Sequence, residues 1–397
     1  MFNEPDHIAL ARPALLFYCQ HSLGIGHLTR SFALATALAQ TFRVVFLNGG
    51  RLPPGLPVPQ GIKVIDLPPL GMDDGHTLVS RDAAHDVAQA VARRRTLIEA
   101  AVQQHRPAVL LVELFPFGRK KFAGEILPMI RLARRQRGGP AKVVCSLRDI
   151  LVDARPDQRH HDDRARWITD RYFDAVIVHA DPAFARLEES FRPSRPMRTP
   201  VHYSGYVVPQ RPAVPDTNRA PHLLVSAGGG IVGGGLYRTV LQARELLGSP
   251  MSLRIIAGPF LPESEWLALE RLTAGQHGVE LVRHVPDMVA EMRLARASIS
   301  QCGYNSALDI VGAGVPALVV PYETPSENEQ RTRADRLAAL GAMQMLPVAE
   351  LNPRNMARAI EQLLCFRPRP AALDLQGANH TAQLMARWHV QRERVAA

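Results

Sequence analysis

The chain has 397 residues, of which 46% are hydrophobic and 21% charged, and its formal net charge is +10 at pH 7. This apolar fraction is sufficient for two cores, so we expect a soluble globular protein with two domains of roughly 200 residues. No apolar run reaches the ~18 residues of a membrane span, and the first residues do not resemble a signal peptide. Four separate cysteines argue against a disulfide framework or a zinc site. We therefore expect a cytoplasmic protein.

Most of the excess positive charge lies in the first half of the chain. Residues 1–205 contain 28 Lys and Arg against 20 Asp and Glu. An anionic small molecule or a membrane surface fits this charge better than nucleic acid, because no nucleic-acid module is present and only 6% of residues are aromatic. Alternatively, the 43 arginines against four lysines reflect a compositional bias and a solvated surface.

Strands and helices alternate along the first half. Strands are predicted at 14–19, 43–47, 63–67, 108–113, 142–147 and 174–179. Because these runs are continuously apolar, they predict a parallel sheet covered by helices on both faces.

The segment 208–221 contains four prolines and predicts a linker. Further apolar runs then begin near residues 222, 253, 279, 297 and 317, and a final helix is predicted over 371–394. The pattern predicts an α/β protein with two doubly wound domains, whose ligands bind in the cleft at the carboxyl ends of the strands. The predicted N-terminal domain covers residues 1–207 and the predicted linker 208–221. The predicted C-terminal domain covers 222–370, and the C-terminal helix 371–397.

The first predicted strand is followed by the loop GIGHLTR, residues 24–30. His27 lies between a glycine and the first turn of a helix, where backbone N–H groups are unpaired and the helix dipole attracts anions. Such a histidine can also serve only to cap or pack the helix.

A second loop, AGGGIVGGG, follows the strand that begins at residue 222. Its glycines allow the backbone to approach a ligand closely and to direct N–H groups at phosphate oxygens. Neither a P-loop nor the dinucleotide fingerprint is present, so ATPase and dehydrogenase functions are disfavoured. The loop predicts a phosphate-binding site, and the alternative is a merely flexible segment.

A third segment, 300–342, contains CGYNSALDIVGAGVPALVVPY followed by ENEQ. Asn305 and Ser306 are predicted to cap a helix that carries Asp309. A carboxylate beside a phosphate-binding loop suits the two hydroxyls of a ribose.

These motifs resemble a known family. Residues 222–346 are similar to the C-terminal domain of glycosyltransferase family 28, and the chain resembles the MurG-like predicted glycosyltransferases. GIGHLTR is similar to that family's GGxGGHxxP loop and also to the GxGHxxR loop of the PseG nucleotide-sugar hydrolases. The resemblance implies a GT-B fold, in which two Rossmann-like domains face a cleft and bind the donor on the C-terminal domain and the acceptor on the N-terminal one. It is slight over residues 110–205, which leaves the acceptor open.

The resemblance implies a set of donor contacts. Asp309 would bind the ribose, the glycines of the loop the diphosphate, the backbone of Val285 the base, and the ENEQ segment the sugar. The predicted donor-binding residues are Gly26, Gly228, Gly229, Gly230, Val285, Asn305, Ser306, Asp309, Asn328, Glu329 and Gln330.

His27 matches the family histidine and is the predicted general base, with Glu113 and Asp149 as alternative bases. Both carboxylates follow predicted strands, at VELFPFGRKKF and SLRDI. The predicted acceptor-binding residues are Arg30, Arg119, Lys120 and Arg148. The basic cluster at 119–121 can instead be an exposed helix start.

The implied activity is an inverting, metal-independent transfer of a hexose or N-acetylhexosamine from a UDP-linked donor to an acceptor hydroxyl. No DxD motif occurs, and no cofactor is expected beyond the nucleotide-sugar substrate. An anionic or lipid-linked acceptor, no nucleic acid, and peripheral contact with the inner face of the membrane are expected. A nucleotide-sugar hydrolase and a non-catalytic nucleotide-sugar-binding regulator are the alternatives.

Overall fold

The computed structural model describes residues 12–21, 26–53, 56–73, 77–137, 139–153, 155–209, 220–248, 251–325 and 327–396. The strands of the first half are Ala14–Cys19 (β1), Arg43–Asn48 (β2), Lys63–Asp66 (β3), Leu70–Met72 (β4), Leu78–Ser80 (β5), Val109–Glu113 (β6), Lys142–Arg148 (β7), Ala175–His179 (β8) and Val201–Tyr203 (β9). The helices there are Gly26–Leu38 (α1), Val87–His105 (α2), Ala123–Arg135 (α3), Gln158–Tyr172 (α4) and the short Leu187–Ser190 (α5).

The second half contains six more strands and seven helices among the described residues. Its strands are His222–Ser226 (β10), Ser252–Ile256 (β11), Val279–Val282 (β12), Ala297–Ser300 (β13), Ala317–Val319 (β14) and Gln344–Met345 (β15). Its helices are Gly234–Leu246 (α6), Glu263–Thr273 (α7), Met288–Leu294 (α8), Tyr304–Ala313 (α9), Glu329–Ala339 (α10), Pro353–Cys365 (α11) and Gly377–Ala396 (α12).

Each half forms one parallel sheet. The strand order is β3-β2-β1-β6-β7-β8-β9 in the first sheet and β12-β11-β10-β13-β14-β15 in the second, while β4 and β5 form a separate antiparallel hairpin. In both sheets the order reverses beside the first strand, which creates a crevice at the carboxyl ends of the strands. The His27 loop follows β1 and the glycine loop follows β10, so both loops lie at these crevices.

Both faces of the first sheet are buried. All six residues of β1 are buried. Leu15 and Phe17 pack with Phe32 of α1 on one face, whereas Leu16 and Tyr18 belong to the core on the other face. Helices on both faces explain why the strands are continuously apolar.

The C-terminal helix α12 packs against the first sheet's layer of helices, although it follows the second sheet in the chain. Ala378, Ala382 and Met385 are spaced to share one helix face, and they join the same core as Leu28 and Phe32 of α1. The chain therefore returns to the first domain at this helix.

The two predicted doubly wound sheets are confirmed, but several details differ. The β4–β5 hairpin, β9 and β15 were not predicted, because segments of two or three residues carry too little periodicity. The final helix begins at Gly377 rather than at residue 371, since 366–376 forms the crossing segment. Most of the predicted linker, 210–219, lies outside the described residues, as do Gly24 and Ile25 of the predicted turn before His27.

Three of the cysteines are buried, as expected for small core residues, whereas Cys365 is exposed. Among the described residues, none of the helices has the length and apolar character needed to cross a membrane.

Candidate functional site

A cavity of about 560 Å³ lies between the carboxyl ends of the two sheets. Both domains contribute to its walls. Twelve of the predicted site residues line it: Gly26, His27, Arg30, Arg148, Gly228, Gly229, Val285, Asn305, Ser306, Asp309, Glu329 and Gln330.

His27 is the second residue of α1, and its side chain is 17% exposed. Its Nδ1 lies 2.6 Å from Oε1 of Glu113 at the end of β6. Because an ionised carboxylate only accepts hydrogen bonds, Nδ1 carries the proton and Nε2 remains as the acceptor of the ring. Burial lowers the pKa of His27 to about 4, despite the opposing effect of Glu113, so the ring is neutral at neutral pH.

Glu113 is fully buried and also accepts a hydrogen bond from Arg30 on the same Oε1. Burial alone would raise its pKa, but His27, Arg30 and Arg119 together lower the pKa of Glu113 to about 2. The carboxylate therefore stays ionised and orients His27. This arrangement suits a positioning role for Glu113, and its role as the alternative base stays a prediction.

Arg30 was predicted to bind the acceptor, but its guanidinium is buried. Besides its contact with Glu113, it stacks 5.2 Å from the ring centre of Tyr304 on α9. Arg30 therefore supports the dyad and the domain contact, and its charge is already matched by Glu113.

The glycine loop brings backbone N–H groups to the cavity. Gly228 has φ of 55°, which glycine adopts at little cost. An added Cβ at Gly228 would lie 3.7 Å from Oγ of Ser306, so the loop lies beside the start of α9. Gly233 and Gly303 are the N-caps of α6 and α9, and neither helix has a side-chain cap. Gly303 and the first residues of α9 line the cavity, so this helix start with its uncapped N–H groups can bind an anion there.

The prediction that Asn305 and Ser306 cap a helix was wrong, because α9 begins at Tyr304 and has Gly303 as its N-cap. Asn305 instead donates from Nδ2 to the carbonyl oxygen of Gly26 in the other domain at 3.2 Å. Asp309 lies one turn after Asn305, on the same side of α9. Helix α9 therefore carries both the interdomain contact of Asn305 and the carboxylate of Asp309 on the cavity wall.

Glu329 and Gln330 begin α10 and present opposite hydrogen-bonding groups. Oε1 of Gln330 accepts from the backbone N–H groups of Cys302 and Tyr322, both at 3.1 Å, which leaves the amide N–H groups of Gln330 as donors. Burial would raise the pKa of Glu329, but Arg148 and Arg333 lower it to about 2. A fixed donor beside an ionised acceptor is suited to neighbouring sugar hydroxyls.

Val285 lies in the loop between β12 and α8, and its side chain belongs to the core. Asp287 fixes this loop by accepting from the backbone N–H groups of Val289 and Ala290, at 3.0 and 3.1 Å. The loop therefore meets the cavity at a defined position.

Residues 231–387 match the family described as the glycosyltransferase family 28 C-terminal domain. A UDP-N-acetylglucosamine–N-acetylmuramyl-(pentapeptide) pyrophosphoryl-undecaprenol N-acetylglucosamine transferase from Nitrosococcus oceani is 36% identical over 88 residues, 22% of this chain and 24% of that protein. An uncharacterized glycosyltransferase from Methanopyrus kandleri is 25% identical over 214 residues, 54% of this chain and 55% of that one. The chain thus spans between about a quarter and about half of these relatives.

Among solved structures, MurG from Acinetobacter baumannii superposes with a TM-score of 0.57 and 14% identity, covering 95% of this chain and 99% of that one. The chain is thus similar to MurG and has the GT-B fold. The GT-B fold expected from the motifs is therefore confirmed, and it accounts for a site built from two domains.

Asp149 does not have the position expected of a base. It is fully buried, and its two carboxylate oxygens accept from Nε and Nη2 of Arg333, each at 2.9 Å. It does not line the cavity. The position of Asp149 after a strand suggested a catalytic role. Its pairing with Arg333 could not be predicted, because Arg333 lies 184 residues away along the chain.

Two predicted donor contacts also lie off the cavity wall. Gly230 has φ of 92°, and an added Cβ would lie 2.2 Å from the carbonyl oxygen of Ala257, so this glycine is required for packing. Asn328 donates from Nδ2 to Oδ1 of Asp153 in the other domain at 2.8 Å.

The predicted basic cluster begins a short 3₁₀ helix, Lys120–Phe122. Lys120 is exposed and lies off the cavity wall. Arg119 also lies off the wall, but its charge lowers the pKa of His27, so it is close to the dyad.

Sequence reasoning missed Tyr304 and Arg333. The Tyr304 hydroxyl donates to the carbonyl oxygen of His179 at 3.1 Å and accepts from the N–H of Val207 at 3.0 Å. The spacing of Glu329 and Arg333, four apart on a helix, was the one available signal for the arginine. In the described part of the chain, no three His, Cys, Asp or Glu side chains are grouped to hold a metal ion.

Proposed function

We propose that this chain is an inverting, metal-independent glycosyltransferase that moves a hexose or N-acetylhexosamine from a UDP-linked sugar to an acceptor hydroxyl. One observation carries the proposal. His27 of the N-terminal domain, held by Glu113, lines the same cavity as the glycine loop and Asp309 of the C-terminal domain.

The donor would lie mainly on the C-terminal domain. Asp309 accepts from the ribose hydroxyls, and the N–H groups of Gly228, Gly229 and the uncapped start of α9 hold the diphosphate. The sugar meets Glu329 and Gln330. A uridine nucleotide is supported by the name of the relative from Nitrosococcus oceani, which specifies UDP-N-acetylglucosamine.

The chemistry follows from the neutral imidazole. Nε2 of His27 takes the proton of the acceptor hydroxyl while its oxygen attacks the anomeric carbon of the donor. The bond from that carbon to the diphosphate oxygen breaks as the new bond forms on the opposite face, so the configuration inverts. The start of α9 and the glycine loop stabilise the charge on the departing diphosphate.

The N-terminal domain, to which we assign the acceptor, has basic surface features outside the cavity. Arg119 and Lys120 lie on the N-terminal domain, and Arg119 acts electrostatically on His27. An exposed stripe on α4 contains His160, Arg164, Trp167 and Arg171, and Trp167 is 57% exposed. An aromatic side chain between the arginines Arg164 and Arg171 suits an anionic lipid surface. These features support an anionic or lipid-linked acceptor and peripheral contact with the inner face of the membrane.

A nucleotide-sugar hydrolase is the second candidate, because the same dyad can deprotonate water and GIGHLTR resembles the loop of such hydrolases. Incubating the protein with a panel of UDP-sugars, with and without soluble and lipid-linked sugar acceptors, separates the candidates. A transferase releases UDP only with an acceptor and forms a glycosylated product. Rapid release in water alone favours the hydrolase. Tight binding without release favours a regulator, and no binding to any nucleotide sugar contradicts all three.

A further inference from the structure

Two neighbouring charged residues of the N-terminal domain form ion pairs with two charged residues of the C-terminal domain. Arg148 and Asp149 end and follow β7 in the N-terminal domain, and Glu329 and Arg333 lie one turn apart on α10 in the C-terminal domain. Arg148 pairs with Glu329, Arg333 reaches the same carboxylate at 2.8 Å, and Arg333 also holds Asp149 in two hydrogen bonds of 2.9 Å. We call these four residues the interdomain quartet.

The quartet is largely removed from water. The side chains of Asp149 and Arg333 are 0% and 2% exposed, and those of Glu329 and Arg148 are 14% and 16% exposed. Burying a charge without a partner is costly, and removing one member of a buried pair destabilises strongly. Each domain contributes one arginine and one carboxylate, and the pairs Arg148–Glu329 and Arg333–Asp149 form only between the two domains. The quartet is therefore complete only when the cleft is closed.

Glu329 connects the quartet to the cavity. Both arginine contacts fall on Oε2, so neither arginine occupies Oε1. Arg333 also donates to the carbonyl oxygen of Cys302 at 2.9 Å, and the N–H of Cys302 donates to Gln330. Arg333 thus contacts both Glu329 and Cys302, and the backbone N–H of Cys302 holds the side chain of Gln330.

The groups assigned to the nucleotide lie elsewhere. Gly228, Gly229, Val285 and Asp309 all belong to the C-terminal domain, and none is a partner in the quartet's hydrogen bonds. Binding of the nucleoside diphosphate part therefore does not need the quartet, whereas the sugar part meets a carboxylate that the quartet orients.

We propose that the interdomain quartet makes recognition of the donor sugar conditional on closure of the two domains. Asp149 and Arg333 are positioning residues in this scheme, because they act through Glu329. The inference rests on the proposed function, since it assigns Glu329 to the donor sugar.

The test compares binding of UDP and of the UDP-sugar selected by the donor panel, each titrated calorimetrically into the full chain. The main variant replaces Asp149 and Arg333 together, as Asp149→Leu with Arg333→Met, because apolar replacement of a whole buried ion pair is often neutral or stabilising. Asp149→Asn is the second variant. We expect affinity for UDP to stay within about twofold and affinity for the UDP-sugar to fall about tenfold or more, the loss of one charge-assisted contact.

Arg336→Gln is the matched control. Arg336 lies on the same helix and also crosses between domains, to Glu189 at 2.7 Å and to the carbonyl oxygen of Phe184 at 2.7 Å, but it does not contact Glu329. We expect this variant to keep the preference for the UDP-sugar over UDP.

Three results would overturn the inference while the proposed function stands. The double variant keeps the wild-type preference, it loses both ligands equally, or Arg336→Gln loses the preference to the same extent. A wild-type protein that binds neither UDP nor any UDP-sugar would instead contradict the proposed function, and the inference with it.

Discussion

His27 acquires its character from its neighbours. A free imidazole is half protonated near pH 6.5, whereas burial lowers the pKa of His27 to about 4. The carboxylate of Glu113 fixes which ring nitrogen carries the proton. The ring is therefore a neutral base across the physiological range.

Replacing His27 with alanine tests the base directly. We expect turnover to fall by about 10² to 10⁴-fold, the usual contribution of general base catalysis, with donor affinity little changed. In the wild-type protein the rate should fall as pH decreases through about 4, since protonation removes the base. Steady-state kinetics across pH measure both. A variant with wild-type turnover and the same acidic limb would make His27 only a residue of the helix start.

Glu113→Gln separates positioning from catalysis. Because the charge of Glu113 raises the pKa of His27, its removal should move the acidic limb to lower pH. Glutamine can still accept from Nδ1, so we expect a smaller loss of turnover than in His27→Ala. Leaving Arg30 buried without its counter-charge should cost about 3 to 5 kcal/mol of stability. A loss of turnover equal to that of His27→Ala, with no shift of the limb, would identify Glu113 as the base.

At the scale of elements, the sequence predicted local structure better than it predicted contacts between distant residues. Continuous apolar runs predicted the central strands, and loops after strands predicted the position of the cavity. The partners of polar side chains were not predictable, because they depend on how distant segments meet. Asp149 was predicted as a catalytic carboxylate, but in the structure it pairs with Arg333. Asn305 was predicted as a helix cap, but its side chain donates to the carbonyl oxygen of Gly26.

The glycine loop contains one position that tolerates only glycine, Gly230, and one that can accept alanine, Gly235. Gly230→Ala should destabilise the protein by at least about 1 to 2 kcal/mol, because φ is 92° and the new Cβ would meet the carbonyl oxygen of Ala257. Gly235→Ala is the control, since its Cβ meets nothing within 4 Å and alanine stabilises a helix by up to about 1 kcal/mol. Thermal unfolding of both variants measures the difference. Equal melting temperatures would contradict this account of the loop.

At the scale of the molecule, two sheets face one cleft and the chain crosses it twice. Helix α12 returns to the first domain, and Tyr304 of the second domain reaches into the first. The alternation of strands and helices predicted both domains. The closure contacts were not predictable, because each joins residues more than 90 positions apart.

The central claim is that the cleft binds a nucleoside-diphosphate sugar with its ribose on Asp309. Calorimetric titration of the UDP-sugar panel into the wild-type protein and Asp309→Ala tests it most directly. Asp335→Ala serves as the control, since Asp335 pairs with Arg331 on α10 and lies off the cavity wall. The account predicts one saturable site in the wild type and the control, and about ten- to hundred-fold weaker binding in an Asp309→Ala variant that still unfolds cooperatively. Equal affinity in a folded Asp309→Ala variant would contradict it.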